Sequence, residues 1–261
     1  MRRALFLLLL VAFTACAAAA DRLVFVDTRP GVRVGFWLME RPGATATLML
    51  LPGGEGGIGA VKGGPPRSKN FLVRSRDLFA AEGFNVAVVG KPSDHDDMTL
   101  EFRASPEHVE DLRVIAAKLR AELGVPVWLV GTSRGSVSAA AAATRLDAAL
   151  VAGIVLTSSI TDARMGPAVT SLPLADIRVP VLVLHHQRDA CRLSDPRDAH
   201  LIVEALANAP VKKLLLVDGG SWPYGPACEP MHYHGYNGME AEAVKDIARF
   251  ISGASARTPR S

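Results

Sequence analysis

An excess of charge of either sign is missing from this sequence. Lysine and arginine together number 29 against 26 aspartates and glutamates in 261 residues, a formal net charge of +3. These residues are scattered, so no basic face points to nucleic acid and no acidic run points to a disordered tail. Internal repeats and long low-complexity segments are also absent. The apolar run at residues 4–13 is too short to cross a bilayer comfortably. Cysteine is scarce, with 3 in the whole chain. What the chain does have is length and 49% hydrophobic residues, enough for one sizeable core and a single domain.

Residues 1–20 stand apart from that domain. Arg2 and Arg3 precede the apolar run, and small residues ending in Ala18-x-Ala20 precede Asp21, the layout of a secretory signal with its cleavage site. Removal of this segment on export leaves a domain over residues 21–252 and a small, polar tail at 253–261 that is expected to fray. A lipid anchor at Cys16 is the alternative, with Phe13 departing from the leucine such signals usually carry. The exported chain keeps Cys191 and Cys228, and in an oxidising compartment a disulfide between them is the natural reading. Two separate buried thiols are the other.

Two alternating stretches, 22–27 and 32–40, flank Arg29-Pro30-Gly31 and predict an opening hairpin. Buried strands are expected over 45–51, 84–89, 127–130, 148–156, 179–185 and 211–217, and helices over 70–82, 107–123, 136–143, 195–208 and 238–251. Ser105 as N-cap, Pro106 at the first position and Gly124 past the end frame one of these helices. Residues 91–102 read as a polar loop. Apolar strands alternating with amphipathic helices predict an α/β fold: a mostly parallel sheet with helices on both faces. Only about twenty residues join the strands at 148–156 and 179–185, which leaves little or no room for a lid.

Gly131-Thr132-Ser133-Arg134-Gly135 falls between a strand and a helix. A serine at such a turn presents its hydroxyl at the sheet edge, and the flanking glycines avoid collision with neighbouring backbone. Ser133 is therefore the candidate nucleophile. A serine hydroxyl needs a base, and the base needs a group that holds its tautomer. Asp189 follows a later strand, and His232 and His234 lie in the loop after the last one. Being two apart in an extended loop, at most one of these histidines faces Ser133. Asp195 precedes Pro196 and reads as an N-cap, which leaves the orienting role to Asp189. The oxyanion donors expected are the N–H of Arg134 and one from 53–57, with Gly54 first and Glu55 next. Arg134 opposes the helix dipole, and pairing with Glu55, pairing with a carboxylate of the Asp94 loop, contact with an anionic substrate or plain solvation are all open. His185 and His186 read as packed residues. Asp94-His95-Asp96-Asp97 reads as a solvated loop in preference to a metal site.

The elbow at 131–135, the segment 181–189 and His234-Gly235-Tyr236 before the last helix resemble the α/β-hydrolase superfamily, over most of residues 23–251. Among its members the chain is most similar to small, exported, dienelactone-hydrolase-like proteins. It has serine where dienelactone hydrolases proper carry cysteine, so their substrate does not carry over. The resemblance selects His234 over His232 as the base. It implies a secreted or periplasmic serine hydrolase that cleaves an ester or related acyl bond of a small molecule through an acyl-enzyme, with no metal and no organic cofactor. A thioesterase, lactonase or peptidase on the same machinery, and a catalytically silent binding protein, remain the alternatives.

Overall fold

The computed structural model describes residues 20–59 and 63–255. Its strands are β1 (Arg22–Arg29), β2 (Val32–Met39), β3 (Thr47–Leu51), β4 (Asn85–Pro92), β5 (Val127–Thr132), β6 (Gly153–Thr157), β7 (Val181–His186) and β8 (Lys212–Val217). They form one sheet in the order β1-β2-β4-β3-β5-β6-β7-β8. The β1–β2 and β2–β4 pairs are antiparallel, and the remaining five pairs are parallel. Successive side chains on a strand point to opposite faces. Thus Leu129 of β5 packs into one core and Trp128 and Val130 into the other, while β3 sends Met49 and Leu51 one way and Leu48 and Leu50 the other.

Helices cover both faces, as burial of both requires. In chain order they are α1 (Phe71–Arg74), α2 (Arg76–Ala81), α3 (Leu100–Ala104), α4 (Pro106–Leu123), α5 (Arg134–Ala143), α6 (Ala199–Ala205) and α7 (Glu240–Ser255). Buried side chains of α1, α2 and α7 belong to one core, and those of α4, α5 and α6 to the other. The α4 boundaries follow their signals: Ser105 Oγ accepts from His108 N–H at 3.2 Å, and Gly124 closes the helix at φ 68°.

Several expected boundaries move. The helix expected over 70–82 breaks at Ser75, whose ψ of 4° separates α1 from α2. The loop expected over 91–102 ends in α3, capped by Thr99, whose hydroxyl accepts from Phe102 N–H. The strand expected over 148–156 starts only at Gly153, because Asp147 draws the N–H groups of Leu150 and Val151 into a turn. The segment 195–208 is a 3-10 turn, Pro196–Asp198, followed by α6. The last helix runs on to Ser255, and Ala254 is buried in the core. Residues 256–261 of the expected tail, and 1–19 of the expected leader with Cys16, lie outside the described residues. Between β6 and β7 the chain makes three 3-10 turns (Ala163–Met165, Val169–Ser171, Leu174–Asp176) and no lid.

Candidate active site

The elbow after β5 is forced by how closely the chain passes itself. A Cβ on Gly131 would lie 2.2 Å from Gly135 O, and one on Gly135 would lie 2.0 Å from Leu51 O. Only glycine fits at either position. Ser133 is held at φ 52°, a region sparsely used by residues with side chains, and its N–H donates to Thr157 O at 3.0 Å on the neighbouring strand. Such strain persists only where the surroundings over-determine it. The first turn of α5 begins at Arg134, so unpaired helix N–H groups face the region of the serine.

The loop after β3 meets the elbow from the other side. A Cβ on Gly53 would come within 2.8 Å of Ser133 Cβ and 3.4 Å of its Oγ. Gly53 is thus a site residue that the glycine-rich composition of 53–57 did not single out. Gly54, at φ 58°, lies next to it on the same cleft as Ser133. Neither Gly54 N–H nor Arg134 N–H donates to another described residue.

The structure brings Asp189 to His234 and leaves His232 aside. His234 Nδ1 lies 2.8 Å from Asp189 Oδ2, with the two side chains 4% and 0% exposed. Asp189 Oδ1 accepts from Cys191 N–H at 2.9 Å. The carboxylate fixes the ring's orientation, and His234 Nε2 is buried without a hydrogen-bond partner. His234 and Ser133 line one open cleft of about 360 Å³ together with Gly53, Gly54, Glu55, Asn70 and Glu229. No hydrogen bond joins Ser133 Oγ to His234 Nε2 here. A serine–base contact in an unliganded site is often long and tightens on substrate binding.

The main chain around His234 is anchored at several points. Ser158, itself at φ 43°, donates from Oγ to His234 O at 2.7 Å. Tyr236, at φ 58° and fully buried, donates to Leu184 O at 2.7 Å and accepts from Ser158 N–H at 3.2 Å. Burial drives its phenol pKa well above the ordinary value. A disulfide joins Cys191 to Cys228, linking the loop of Asp189 to the wall of the cleft.

The other histidines and acids have structural partners. His185 is wholly buried, accepts at Nε2 from Ser159 N–H at 2.9 Å, and is pushed down to about 4 by burial. His186 Nδ1 accepts from Arg188 N–H and its Nε2 faces Gly219 O, which fixes one tautomer. Asp195 caps the 3-10 turn by accepting from Arg197 N–H, and hydrogen bonding to Arg197 lowers its carboxyl pKa. In the acidic loop Asp94 pairs with Arg29 and His95. Burial raises the Asp94 pKa, but these partners outweigh it and hold the carboxyl at about 2. Asp97 takes Arg134 at 3.3 Å, an exposed contact worth little. No cluster of metal-binding side chains occurs among the described residues.

No family model matches the chain, and no curated protein matches it. Solved structures do. Esterase Pf2001 of Pyrococcus furiosus superposes with a TM-score of 0.66 at 16% identity, covering 90% of this chain and 93% of that one. XC6422 from Xanthomonas campestris, described as an α/β serine hydrolase without a lid, gives 0.57 at 17% identity over 92% and 96%. An acylaminoacyl peptidase of Pyrococcus horikoshii gives 0.63 at 13% identity, covering 94% of this chain and 43% of the larger protein. At these identities the likeness is one of fold. The chain has the α/β-hydrolase fold, and its structural neighbours are esterases and peptidases built on it.

Proposed function

We propose that the protein is an exported serine hydrolase that cleaves an ester or related acyl bond in a small, water-soluble molecule. One observation carries this reading: a buried imidazole is hydrogen-bonded at Nδ1 by a buried carboxylate, while its other nitrogen is unpaired and its side chain lines the same cleft as a strained serine. That is the arrangement nucleophilic catalysis by a hydroxyl requires.

In this mechanism Ser133 Oγ attacks the substrate carbonyl carbon as His234 Nε2 takes its proton. Asp189 stabilises the imidazolium and keeps it turned toward the serine. The N–H groups of Gly54 and Arg134 receive the charge that develops on the carbonyl oxygen. As the tetrahedral intermediate collapses, the imidazolium returns its proton to the leaving alcohol. Water, deprotonated by the same histidine, then releases the acid. Export is supported by the Cys191–Cys228 disulfide, since such bonds persist in oxidising compartments. An open cleft walled by Asn70, Glu55, Glu229 and glycines, with Phe71 and Pro230 among them, supports a short acyl compound over a long lipid chain.

A fluorophosphonate probe tests the reading. Covalent labelling mapped to Ser133, and lost in Ser133→Ala, is the expected result. An intact, folded protein that never labels overturns it in favour of a silent binding module. Rates on matched p-nitrophenyl esters, thioesters and peptide anilides then separate esterase from thioesterase and peptidase chemistry.

A further inference from the structure

The side chain of Arg103, in α3, is 1% exposed, and no carboxylate accepts a hydrogen bond from it. Its guanidinium donates only to neutral oxygens: from Nε to Met98 O at 3.0 Å, from Nη1 to Ser138 Oγ at 3.0 Å, and from Nη2 to Pro52 O at 3.0 Å and Gly54 O at 3.1 Å. Burial pushes the guanidinium pKa down to about 9, with repulsion from Arg134 adding to it, so the group stays charged at neutral pH. Asp97 offsets this only in part and from a distance, and a buried cation with no carboxylate in hydrogen-bond contact is costly, a cost that an apolar side chain of similar length would not carry. What this one touches accounts for the arginine.

Pro52 and Gly54 flank Gly53, which abuts Ser133. Trans peptides point C=O and N–H in opposite directions. With the carbonyls of Pro52 and Gly54 drawn onto Arg103, the N–H groups of Gly53 and Glu55 point away from it. The peptide between Gly53 and Gly54, which carries the Gly54 N–H, is bracketed by these two held carbonyls, and its own carbonyl, Gly53 O, accepts from Gly56 N–H at 3.2 Å. A second clasp comes from Met98, whose O accepts from Arg103 and whose N–H donates to Glu55 O at 3.3 Å. Ser138 belongs to α5, the helix that starts directly after Ser133. The planar fork of an arginine, with donors in fixed directions, is suited to holding several carbonyls at once.

We propose that Arg103 is the positioning residue of the oxyanion hole: it locks the 52–55 backbone to the nucleophile helix and places a fixed positive charge behind the loop where negative charge develops. The proposal rests on the serine-hydrolase reading, and it goes beyond that reading by assigning a residue outside the cleft lining to transition-state stabilisation. A preorganised donor acts on the transition state more than on bound substrate, so the loss belongs in kcat.

The test uses Arg103→Met and Arg103→Lys in the exported chain, with two readouts: the backbone amide NMR signals of Gly53, Gly54 and Glu55, and kcat and KM on p-nitrophenyl acetate. In Arg103→Met the loop signals should shift or broaden. Its kcat should fall about a hundredfold while KM stays within about threefold, and Arg103→Lys should recover about tenfold of that loss. A folded Arg103→Met with wild-type loop signals and kcat, or with its loss confined to KM, overturns the proposal. If the methionine variant does not fold, Arg103→Lys decides: about tenfold lower kcat with altered loop signals supports the role, and wild-type values of both overturn it. A wild-type protein that neither turns over ester nor labels at Ser133 overturns the hydrolase reading instead, and the amide signals still decide whether Arg103 orders the loop.

Discussion

Ser133 sits in a turn of five consecutive residues packed against the backbone of β3 and β6, whereas Asp189 and His234 stand 45 positions apart and meet only through the fold. At the elbow the constraint is steric, from backbone packed directly against the turn. Gly131 and Gly135 pass so close to backbone oxygens that no side chain fits, and the all-buried alanines of α5 seat the helix directly on the sheet. Around His234 the constraint is a set of long-range ties. These are the Cys191–Cys228 bridge, the Ser158 bond to His234 O, the Tyr236 bond to Leu184 O and the Cys191 N–H bond to Asp189. Backbone crowded from neighbouring strands can hold a strained serine, but two side chains on separate loops, His234 and Asp189, need fastening to a common frame.

Asp189→Asn strikes the second region hardest. An amide there can accept from the ring as the carboxylate does or turn its NH₂ toward it, favouring the wrong tautomer, and it cannot stabilise the imidazolium. We expect kcat on an activated ester to fall on the order of 10⁴-fold, with the melting temperature nearly kept. A loss under about tenfold would detach the acid from the chemistry.

Gly135→Ala and the double variant Cys191→Ser/Cys228→Ser set the two regions against each other. The alanine methyl meets Leu51 O, so the elbow variant should lose about 3 kcal/mol or more of stability by urea denaturation. The bridge closes a separation of 37 residues, and its loss should cost about 2–4 kcal/mol. The double variant should also lower kcat through a looser acid and base. Wild-type melting of Gly135→Ala, or a double variant with unchanged kcat and stability, would erase the contrast between the two regions.

A further effect, confined to acid, concerns stability alone. Burial, with repulsion from Arg103 and Arg29, pushes His108 down from 6.5 to about 3. Below 6.5 the unfolded chain takes up a proton that the folded chain refuses until about 3. Stability contributed by this group is therefore present above that window and is lost as pH falls through it. His108→Gln should make the decline in urea midpoint between pH 6.5 and 4 shallower than in the wild type, and an equal slope in both proteins would exclude the buried neutral imidazole as a cause.

Much of the scaffold could be read along the chain because its signals are local. The Pro30-Gly31 hairpin, the Ser105 cap with Gly124, the elbow and the capping role of Asp195 all depend on neighbours in sequence. That cap leaves Asp189 rather than Asp195 for the orienting role, and the resemblance carried by Gly235 and Tyr236 singles out His234 over His232. The helix α3 was not legible, because Leu100 and Phe102 turn a segment that begins polar toward the core only once the sheet exists. The break at Ser75 likewise had no local marker.

Periodicity, turn chemistry and one tight pentapeptide are properties of adjacent residues, and the sequence by itself determined them: a doubly covered sheet, a serine at its edge and a pair of cysteines left in the domain. The pairing of Asp189 with His234, the closure of the bridge and the burial of Arg103 against Pro52, Gly54 and Ser138 were decided only by tertiary structure. An arginine is by default a surface residue. Whether it becomes one or a buried clamp depends on which distant carbonyls the fold carries to it, and no spacing along the chain records that.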